Sequence, residues 1–470
     1  MKYGVTITQG ATPWQIFQQN ERGFAAIRLE GEYHRVHLTQ EIPLQFSPVE
    51  SGEVTVKARI ALESSGESIL PWTPCQVLDG CHWSVEFPEV PAGGLYRIET
   101  YMEYEGWDGL SCTRGDMVHN IGVGDVFVIA GQSNAAGRAK TPVEDPPELG
   151  VHLLRDSGRW DLATNPLGET TGSVHLGHYE NHNPGQTPWL HFAKLLKREL
   201  GYPIGLVMCA MGGSPLRWWN PAENGALFTN MLEMLADYDL HPKAILWCQG
   251  EADGFELSGD TYGERFAAFV GATRTALAQP GLPFITMQIN RCVNPSNENM
   301  DRHWGMVRQA QLDAAHTLEN VWVVPSIDLS LYDFIHNSSE GNLILGERCA
   351  RCALAQLYGR PRDWKAPEAS RAVRTAPDTV EVFFEPVRNW LNPFDVPASL
   401  LPFEAEDAQG LARVKQYTTK NSSLVLVFER ALEAGAVLHG AWRMDSGAYI
   451  PCDCMRMPML AFYGLPITHE

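Results

Sequence analysis

The chain has 470 residues, more than one compact hydrophobic core usually spans, so we expect two or three domains. Hydrophobic residues make up 44% and charged residues 20%, as in ordinary globular proteins, and no stretch is long enough to cross a membrane as a helix. The formal net charge of −20 argues against nucleic acid or an anionic membrane surface as the main partner.

Residues 1–20 lack the basic and then apolar layout of a signal peptide, which predicts a cytoplasmic protein if the chain begins at its native start. A chain shortened at its start would leave export open. The ten cysteines are scattered, which does not suggest a disulfide scaffold. Two pairs, Cys349 with Cys352 and Cys452 with Cys454, offer four thiolates, but only half of the spacing fits structural zinc. We favour the alternative that Cys349 and Cys352 lie on one buried helix face, and we expect no metal.

Residues 1–118 contain short runs of alternating polar and apolar residues, for instance 53–60 and 95–101, separated by turns such as 90–94. Alternation at this spacing without helical periodicity predicts an antiparallel β-sandwich. Nothing in this pattern indicates catalysis, so we expect support or carbohydrate contact as its role.

From about residue 119 to residue 361 the pattern changes to strands alternating with amphipathic helices, which predicts a parallel sheet covered on both faces. Its first strand, 126–129, runs into Gly131 and then Ser133. The glycine permits a sharp turn that places Ser133 at the carboxyl edge of the sheet, where open α/β sheets place their chemistry. A serine there is either a nucleophile or a helix N-cap, and most such serines are caps.

The run GQSN at residues 131–134, preceded by VGDV at 123–126, resembles the first sequence block of the SGNH-hydrolase superfamily. More narrowly, it is similar to the sialate O-acetylesterase and carbohydrate esterase family 6 group, whose nucleophile block reads GQSN. The resemblance implies a flavodoxin-like, three-layer α/β catalytic domain with Ser133 as the nucleophile. It is sharp over about 119–360 and loose elsewhere.

The stretch 140–186 is polar and without periodicity, and it is too long for a plain connection, so we expect it to border the substrate site. It contains His175, His178 and His182. Three histidines invite a metal interpretation, but no carboxylate or cysteine pattern accompanies them. We therefore expect surface or substrate-loop histidines rather than metal ligands.

A second buried strand, 203–210, is followed by Gly212 and Gly213, where the resembled group has a Gly-Gly-Ser/Thr block. Glycines allow the backbone to approach a ligand closely, and one of their N–H groups can donate to a developing oxyanion. An ordinary strand–loop turn is the alternative. Arg217 and Trp218 follow; an exposed indole would stack on a sugar ring, although core packing suits a tryptophan nearly as well.

A third strand, 244–248, ends in Gln249-Gly250-Glu251, which matches the third block of the esterase group, where the wider superfamily more often has Gly-x-Asn-Asp. The resemblance makes the Gln249 amide a third oxyanion donor, beside the N–H groups of Ser133 and of one glycine in the second block. It also places the Glu251 carboxylate within reach of the catalytic base. Turn chemistry alone would explain such residues at one strand end, but not at three.

The last block follows the strand 321–327 and resembles the superfamily's Asp-x-x-His arrangement, with Asp333 and His336. An imidazole titrates near neutral pH, which suits a general base, and the resemblance makes His336 the base that activates the serine. Asp333 is the first candidate for the carboxylate that orients it. Glu251 assists or takes that role, and Asp328 is the third candidate.

Residues 362–470 return to β patterns at 379–384 and 423–428, around a proline-rich irregular stretch at 386–403. No chemistry is visible in them. We expect a third, β-rich domain packed on the catalytic domain, so that β-rich domains flank the catalytic domain on both sides in the sequence.

The motifs and the resemblance together predict a serine esterase that removes O-acetyl groups from a sialic acid or another acetylated glycan, without metal or cofactor. Five residues near the strand ends are the predicted substrate contacts, and either arginine among them would pair with a sialate carboxylate: Gln132, Asn134, Arg138, Arg217 and Trp218. Two alternatives stay open, a non-catalytic carbohydrate-binding protein on the same fold and a lipase or thioesterase of the superfamily. The identity of the sugar, the position of the acetyl group and the oligomeric state lie beyond the sequence.

Overall fold

The computed structural model describes residues 4–34, 53–78, 80–106, 109–180 and 184–469. They form an antiparallel β region, a mixed α/β region and a β-barrel, in that order along the chain. Within these ranges, none of the helices is both long and apolar enough to span a membrane.

The N-terminal region is made of strands, as its alternating sequence predicts. Nine strands cover it: β1 (Gly4–Gln9), β2 (Ile16–Gln18), β3 (Phe24–His34), β4 (Val54–Leu62), β5 (Ser68–Pro74), β6 (Gln76–Val77), β7 (His82–Pro91), β8 (Gly93–Gly106) and β9 (Gly109–Gly131). One antiparallel sheet has the order β1-β3-β7-β6, while β4 pairs with β5 and β8, and β8 pairs with β9. Side chains of both groups, Ile27 and Trp83 from the first and Ile60 and Ile98 from the second, share one buried core.

Strand β9 belongs to the first two regions at once. It pairs with β8 as far as Val123, and from Asp125 onward it pairs with strands of the parallel sheet described next. The boundary predicted between residues 118 and 119 therefore lies inside a continuous strand. An unbroken strand keeps its backbone hydrogen bonds as it passes from one sheet into the next, so no linker is needed there.

The α/β region is built on a seven-stranded sheet with β9 at its centre. Its other strands are β10 (Val151–Leu154), β11 (Trp160–Leu162), β12 (Ile204–Met208), β13 (Ala244–Cys248), β14 (Phe284–Gln288) and β15 (Val321–Pro325). The order is β11-β10-β12-β9-β13-β14-β15, all parallel except β11, which pairs antiparallel with β10 at the edge. Strands β12, β13 and β14 are buried along their whole length, as expected for strands inside a parallel sheet that is covered on both faces.

Helices cover both faces of this sheet. They are α1 (Ser133–Ala136), α2 (Trp189–Leu200), α3 (Ala226–Ala236), α4 (Glu251–Phe255), α5 (Tyr262–Ala276), α6 (Glu298–Thr317) and α7 (Ser339–Leu357). Successive residues of a strand point to opposite faces. Val126 and Val128 of β9 pack with α3, α5 and α6, whereas Phe127 and Ile129 pack with α2 and α7.

The C-terminal region is a closed barrel with the strand order β16-β17-β21-β20-β19-β22-β24, next to a short β18–β23 pair. Its strands are β16 (Glu368–Ala376), β17 (Thr379–Glu385), β18 (Leu391–Asn392), β19 (Phe403–Asp407), β20 (Gly410–Thr419), β21 (Ser423–Phe428), β22 (Val437–Gly440), β23 (Cys452–Asp453) and β24 (Phe462–His469). Leu312 of α6 and Val323 of β15 belong to the barrel's apolar core, so the barrel packs on the α/β region. The buried Arg308 of α6 reinforces this junction by donating to the carbonyls of Ala441 and Arg443, both at 2.7 Å.

Candidate active site

Ser133 follows the central strand directly, at a turn that only glycine permits. Gly131 has φ +127°, and a Cβ there would lie 2.1 Å from the carbonyl oxygen of Cys248 on the neighbouring strand. Ser133 is the first residue of α1, so its N–H has no partner inside the helix. The local sequence thus presents a hydroxyl and a free backbone donor at the carboxyl edge of the sheet.

A hydrogen-bonded chain links this serine to the last sequence block. His336 Nε2 lies 2.9 Å from Ser133 Oγ, and His336 Nδ1 lies 2.7 Å from Asp333 Oδ2. The other carboxylate oxygen of Asp333 accepts from the backbone N–H groups of Ile335 and His336, at 2.9 and 2.8 Å, which fixes the turn. Partial burial alone would raise the pKa of Asp333, but these hydrogen bonds outweigh it and hold that pKa below its usual range.

Asn134 ties the nucleophile turn to the loop that carries the histidine. Its Oδ1 accepts from the N–H of Asn337 at 3.0 Å, and its Nδ2 donates to the carbonyl of Ile335 at 3.4 Å, so it contacts both neighbours of His336. The same Nδ2 donates to Glu251 Oε1 at 2.7 Å. Asn134 is buried, and its polar atoms are used inside the protein rather than offered to a substrate, in contrast to the sequence prediction.

Glu251 does not contact the imidazole. Its hydrogen bond goes to Asn134, so Asp333 alone among the three predicted carboxylates contacts His336. Burial raises the pKa of Glu251, and the bond from Asn134 offsets this only in part. The third candidate, Asp328, is held by the guanidinium of Arg348 at 2.7 and 2.8 Å.

Gln132 and Gln249 form an internal amide network. Gln132 Oε1 accepts from Gly250 N and Ala252 N at 3.2 and 3.1 Å, which anchors the third block to the first. Gln249 is fully buried, and its Nε2 donates to Asp253 Oδ2 at 2.6 Å and to the carbonyl of Ser214 at 3.1 Å. Both amide protons of Gln249 are therefore used, and the predicted third oxyanion donor does not face the site.

The two glycines of the second block differ in what they offer. The N–H of Gly212 donates to Glu180 Oε2 at 2.6 Å. Gly213 is exposed with φ +67°, and within the described part of the chain its N–H has no hydrogen-bond partner. In this conformation, Gly213 and Ser133 each carry a backbone N–H without a partner among the described residues.

The other predicted sugar-contacting residues differ in their burial and in their partners. Arg138 is buried and paired with Glu180, and Arg217 is paired with Glu256, so each arginine already has a carboxylate partner. Trp218 is half-buried, packs against the core, and has the Arg217 guanidinium 5.8 Å from its ring centre.

Sequence reasoning missed two aromatic side chains beside the triad. Tyr332 and Phe334 flank Asp333 and are 42% and 51% exposed. Large exposed apolar groups next to a reactive centre are typical of ligand contact. Their position on either side of the block's aspartate was the available signal.

The histidines of the long loop are not alike. His178 is fully buried rather than on the surface, with Nδ1 2.7 Å from Asp156 Oδ1 and Nε2 donating to the carbonyl of Ala210 at 2.6 Å. Burial alone would lower the pKa of His178, but the Asp156 carboxylate outweighs it and raises that pKa. His175 contacts Glu233 on α3 and Asp237 just after that helix, and His182 lies outside the described residues.

The paired cysteines show no metal-site geometry. Cys349 and Cys352 lie on the buried face of α7, in the apolar cluster between this helix and the sheet. Across the described ranges, no group of three or more histidine, cysteine, aspartate or glutamate side chains is arranged to hold a metal ion.

The sequence that forms this site is similar to the sequences of known proteins. Residues 123–355 match the family model described as "Carbohydrate esterase, sialic acid-specific acetylesterase". A probable carbohydrate esterase of Arabidopsis thaliana is 29% identical over 258 residues, which cover 50% of this chain and 89% of that protein. Human sialate O-acetylesterase is 24% identical over 230 residues, covering 40% of this chain and 41% of the human protein.

The fold similarity extends over nearly the whole chain. The crystal structure of a carbohydrate acetylesterase from Xanthomonas citri superposes with a TM-score of 0.64 at 19% identity, covering 97% of this chain and 99% of that one. The predicted family is confirmed: the segment 123–355, which holds Ser133, Asp333 and His336, belongs to the sialic acid-specific acetylesterase family of carbohydrate esterases.

Proposed function

We propose that this protein is a serine esterase that removes O-acetyl groups from an acetylated carbohydrate. The observation that carries the proposal is the chain of two hydrogen bonds, Ser133 to His336 at 2.9 Å and His336 to Asp333 at 2.7 Å. A hydroxyl, an imidazole and a carboxylate in this order are the arrangement that activates serine nucleophiles. The family and the names of the relatives supply the substrate class.

Each side chain of the triad has a defined step. His336 Nε2 takes the proton of Ser133 as Oγ attacks the acetyl carbonyl carbon. The tetrahedral intermediate collapses, the sugar oxygen leaves with that proton, and an acetyl group remains on Ser133. Water then attacks the acetyl carbon while His336 takes its proton, and returning that proton to Ser133 Oγ releases acetate. Asp333 holds the imidazole and stabilises its protonated form.

The oxyanion is held by backbone donors in this proposal. Ser133 N–H lies at the start of α1, and the glycine pair of the second block supplies the other N–H. Removing one such donor costs about 10²–10³ in turnover. Because the Gln249 amide is committed to Asp253 and Ser214, we assign it no direct role.

The proposal extends to the domain organisation of the chain. Residues 119–361 are the catalytic domain of SGNH type, with the regions 1–118 and 362–470 as flanking β-rich domains. Exposed Tyr332 and Phe334 offer ring faces on which a pyranose would stack. This favours a carbohydrate over the long acyl chains of a lipase or thioesterase.

Acetate release from a panel of acetylated glycans, measured for the wild type and Ser133→Ala, tests the proposal. Acetyl, butyryl and octanoyl aryl esters are the chain-length comparison. We expect acetyl esters to be preferred and Ser133→Ala to lose about 10⁴-fold or more in turnover. Full activity of Ser133→Ala would refute the serine mechanism. A wild type that binds sugars without releasing acetate would identify a binding protein, and a preference for octanoyl esters would identify a lipase.

A further inference from the structure

Two donors near the nucleophile converge on one internal carboxylate. Glu180 accepts from the N–H of Gly212 at 2.6 Å through Oε2, and from the guanidinium of Arg138 through Oε1. The side chains of Arg138 and Glu180 are only 9% and 5% exposed. Gly212 follows Met211, whose N–H donates to the carbonyl of Gly131 at 3.0 Å, so the contact lies beside the turn that carries the serine.

The backbone of Glu180 is held in place by its surroundings. The backbone N–H and C=O of Glu180 both bond to Thr170 Oγ1, at 3.1 and 2.6 Å. Two residues earlier, fully buried His178 is fixed between Asp156 and the carbonyl of Ala210, which lies just before the glycine pair. The position of Glu180 is therefore built into the fold and is not that of a loose surface side chain.

The ligand chemistry of this place is that of a carboxylate. A backbone N–H and a guanidinium on one carboxylate form charge-assisted hydrogen bonds, which are about twice as strong as neutral ones. Acetate, the product of the proposed reaction, is a carboxylate, and a sialic acid carries a carboxylate of its own. Glu180 has the same chemical group in the same vicinity.

We propose that Gly212 N–H and Arg138 form a carboxylate-binding site beside Ser133, and that Glu180 is its internal ligand, which an external carboxylate displaces. The biological role of this site rests on the proposed esterase function. While Glu180 is bound, the Gly212 N–H is not available to an oxyanion, and the negative charge opposes one nearby. Glu180 thus competes with the product and prevents acetate from remaining in the site.

Calorimetric titration of sodium acetate into the full chain tests the site without any ester present. We compare the wild type, Glu180→Ala, Glu180→Gln and Glu347→Ala. The last variant breaks a surface pair between Glu347 and Arg351 on α7 and is the charge-matched control. We expect Glu180→Ala to bind acetate at least about tenfold more tightly than the wild type, since an unpaired guanidinium and N–H remain. Glu180→Gln should lie between them, and Glu347→Ala should match the wild type.

A second titrant separates the two sources of the carboxylate. The methyl glycoside of N-acetylneuraminic acid has a carboxylate but no ester. Tighter binding of both titrants to Glu180→Ala shows that a substrate carboxylate reaches the site, and tighter binding of acetate alone shows a product site. Adding Arg138→Gln to Glu180→Ala should remove the gain in either case.

Equal acetate affinity in the wild type and in folded Glu180→Ala and Glu180→Gln would overturn the inference. If Glu180→Ala does not fold, the isosteric Glu180→Gln decides the outcome alone. Failure here is distinguishable from failure of the proposed function. A chain that binds acetate as expected but releases none from glycans keeps the site and loses the esterase, and the reverse result keeps the esterase and loses the site.

Discussion

The backbone N–H of Asn337 donates a 3.0 Å hydrogen bond to Asn134 Oδ1, so the residue after Ser133 holds the residue after His336. Asn134 also contacts the carbonyl of Ile335 and the carboxylate of Glu251. The distance between the serine hydroxyl and the imidazole is thereby set by a buried amide, while Asp333 sets the orientation of the ring. Asp333 and Glu251, which the sequence left as alternative partners of His336, therefore have different contacts in the structure.

The first prediction compares those carboxylates. Asp333→Asn should lower kcat by about 10³–10⁴ with little change in KM, because the imidazole loses the acceptor that fixes its tautomer. Glu251→Ala should lower kcat by about tenfold, because it loosens Asn134 without touching the ring. Initial rates on 4-nitrophenyl acetate measure both. Equal losses in the two variants would mean that Glu251 acts on the imidazole directly.

The second prediction concerns stability against pH. Burial raises the pKa of Glu251 in the folded protein, so the unfolded chain releases this proton first as pH rises. Ionised Glu251 therefore lowers the free energy of unfolding. This loss begins near the unfolded pKa of about 4.3 and grows until the pH has passed the higher folded pKa. The Tm of Glu251→Gln minus that of the wild type should rise as the pH increases from about 4.

Asp333 should change the stability of the protein with pH in the opposite direction to Glu251. Its folded pKa is lowered, so its stabilisation is present above the unfolded pKa of about 3.9 and is lost as pH falls through the folded value. Asp333→Asn should therefore be least stable relative to the wild type at neutral pH, and the two should converge in acid. Parallel curves for Asp333→Asn and Glu251→Gln would contradict this assignment.

The third prediction tests the turn before the nucleophile. Gly131→Ala places a Cβ 2.1 Å from a backbone carbonyl at φ +127°, and we expect a loss of about 3 kcal/mol or more in the free energy of unfolding. Gly109, at the start of the same strand, has φ +114° with no atom within 4 Å of a built Cβ. Gly109→Ala should cost only about 1–2 kcal/mol. Urea unfolding measures both, and similar costs would show that backbone strain alone matters.

The fourth prediction concerns the junction with the barrel. Arg308 is fully buried and donates to backbone carbonyls and to the Ser446 hydroxyl. Burial lowers its pKa to about 9. Arg308→Lys leaves several of these acceptors without a donor and should cost about 3 kcal/mol or more in the free energy of unfolding. Arg362→Lys, at an exposed pair with Glu199, is the control and should change it by less than about 0.5 kcal/mol. Matching thermal melts for the two variants would show that Arg308 does not stabilise the junction.

The helices and buried strands of the α/β region could be read closely from local patterns. Continuous apolar runs predict the strands 203–210 and 244–248, where β12 and β13 lie, because this signal depends on the pattern within one segment. The boundary predicted at 118 lies inside a strand for the opposite reason. Strand β9 continues through it, and only pairing with distant strands shows that two sheets share one strand.

By itself, the sequence determined which residues carry the reactive groups. Ser133 lies just after β9, and Asp333 and His336 lie in the loop between β15 and α7, all in recognisable sequence blocks. The Asp333–His336 contact spans three residues, so local geometry suffices. The tertiary structure alone decided what surrounds them. Glu251 turns to Asn134 across 117 residues, and Glu180 reaches Gly212 across 32, from a loop without periodicity. Buried donors and acceptors must find partners within the protein, and the packing of the sheet and its helices decides which of them come close enough to pair. Local sequence patterns do not contain this information.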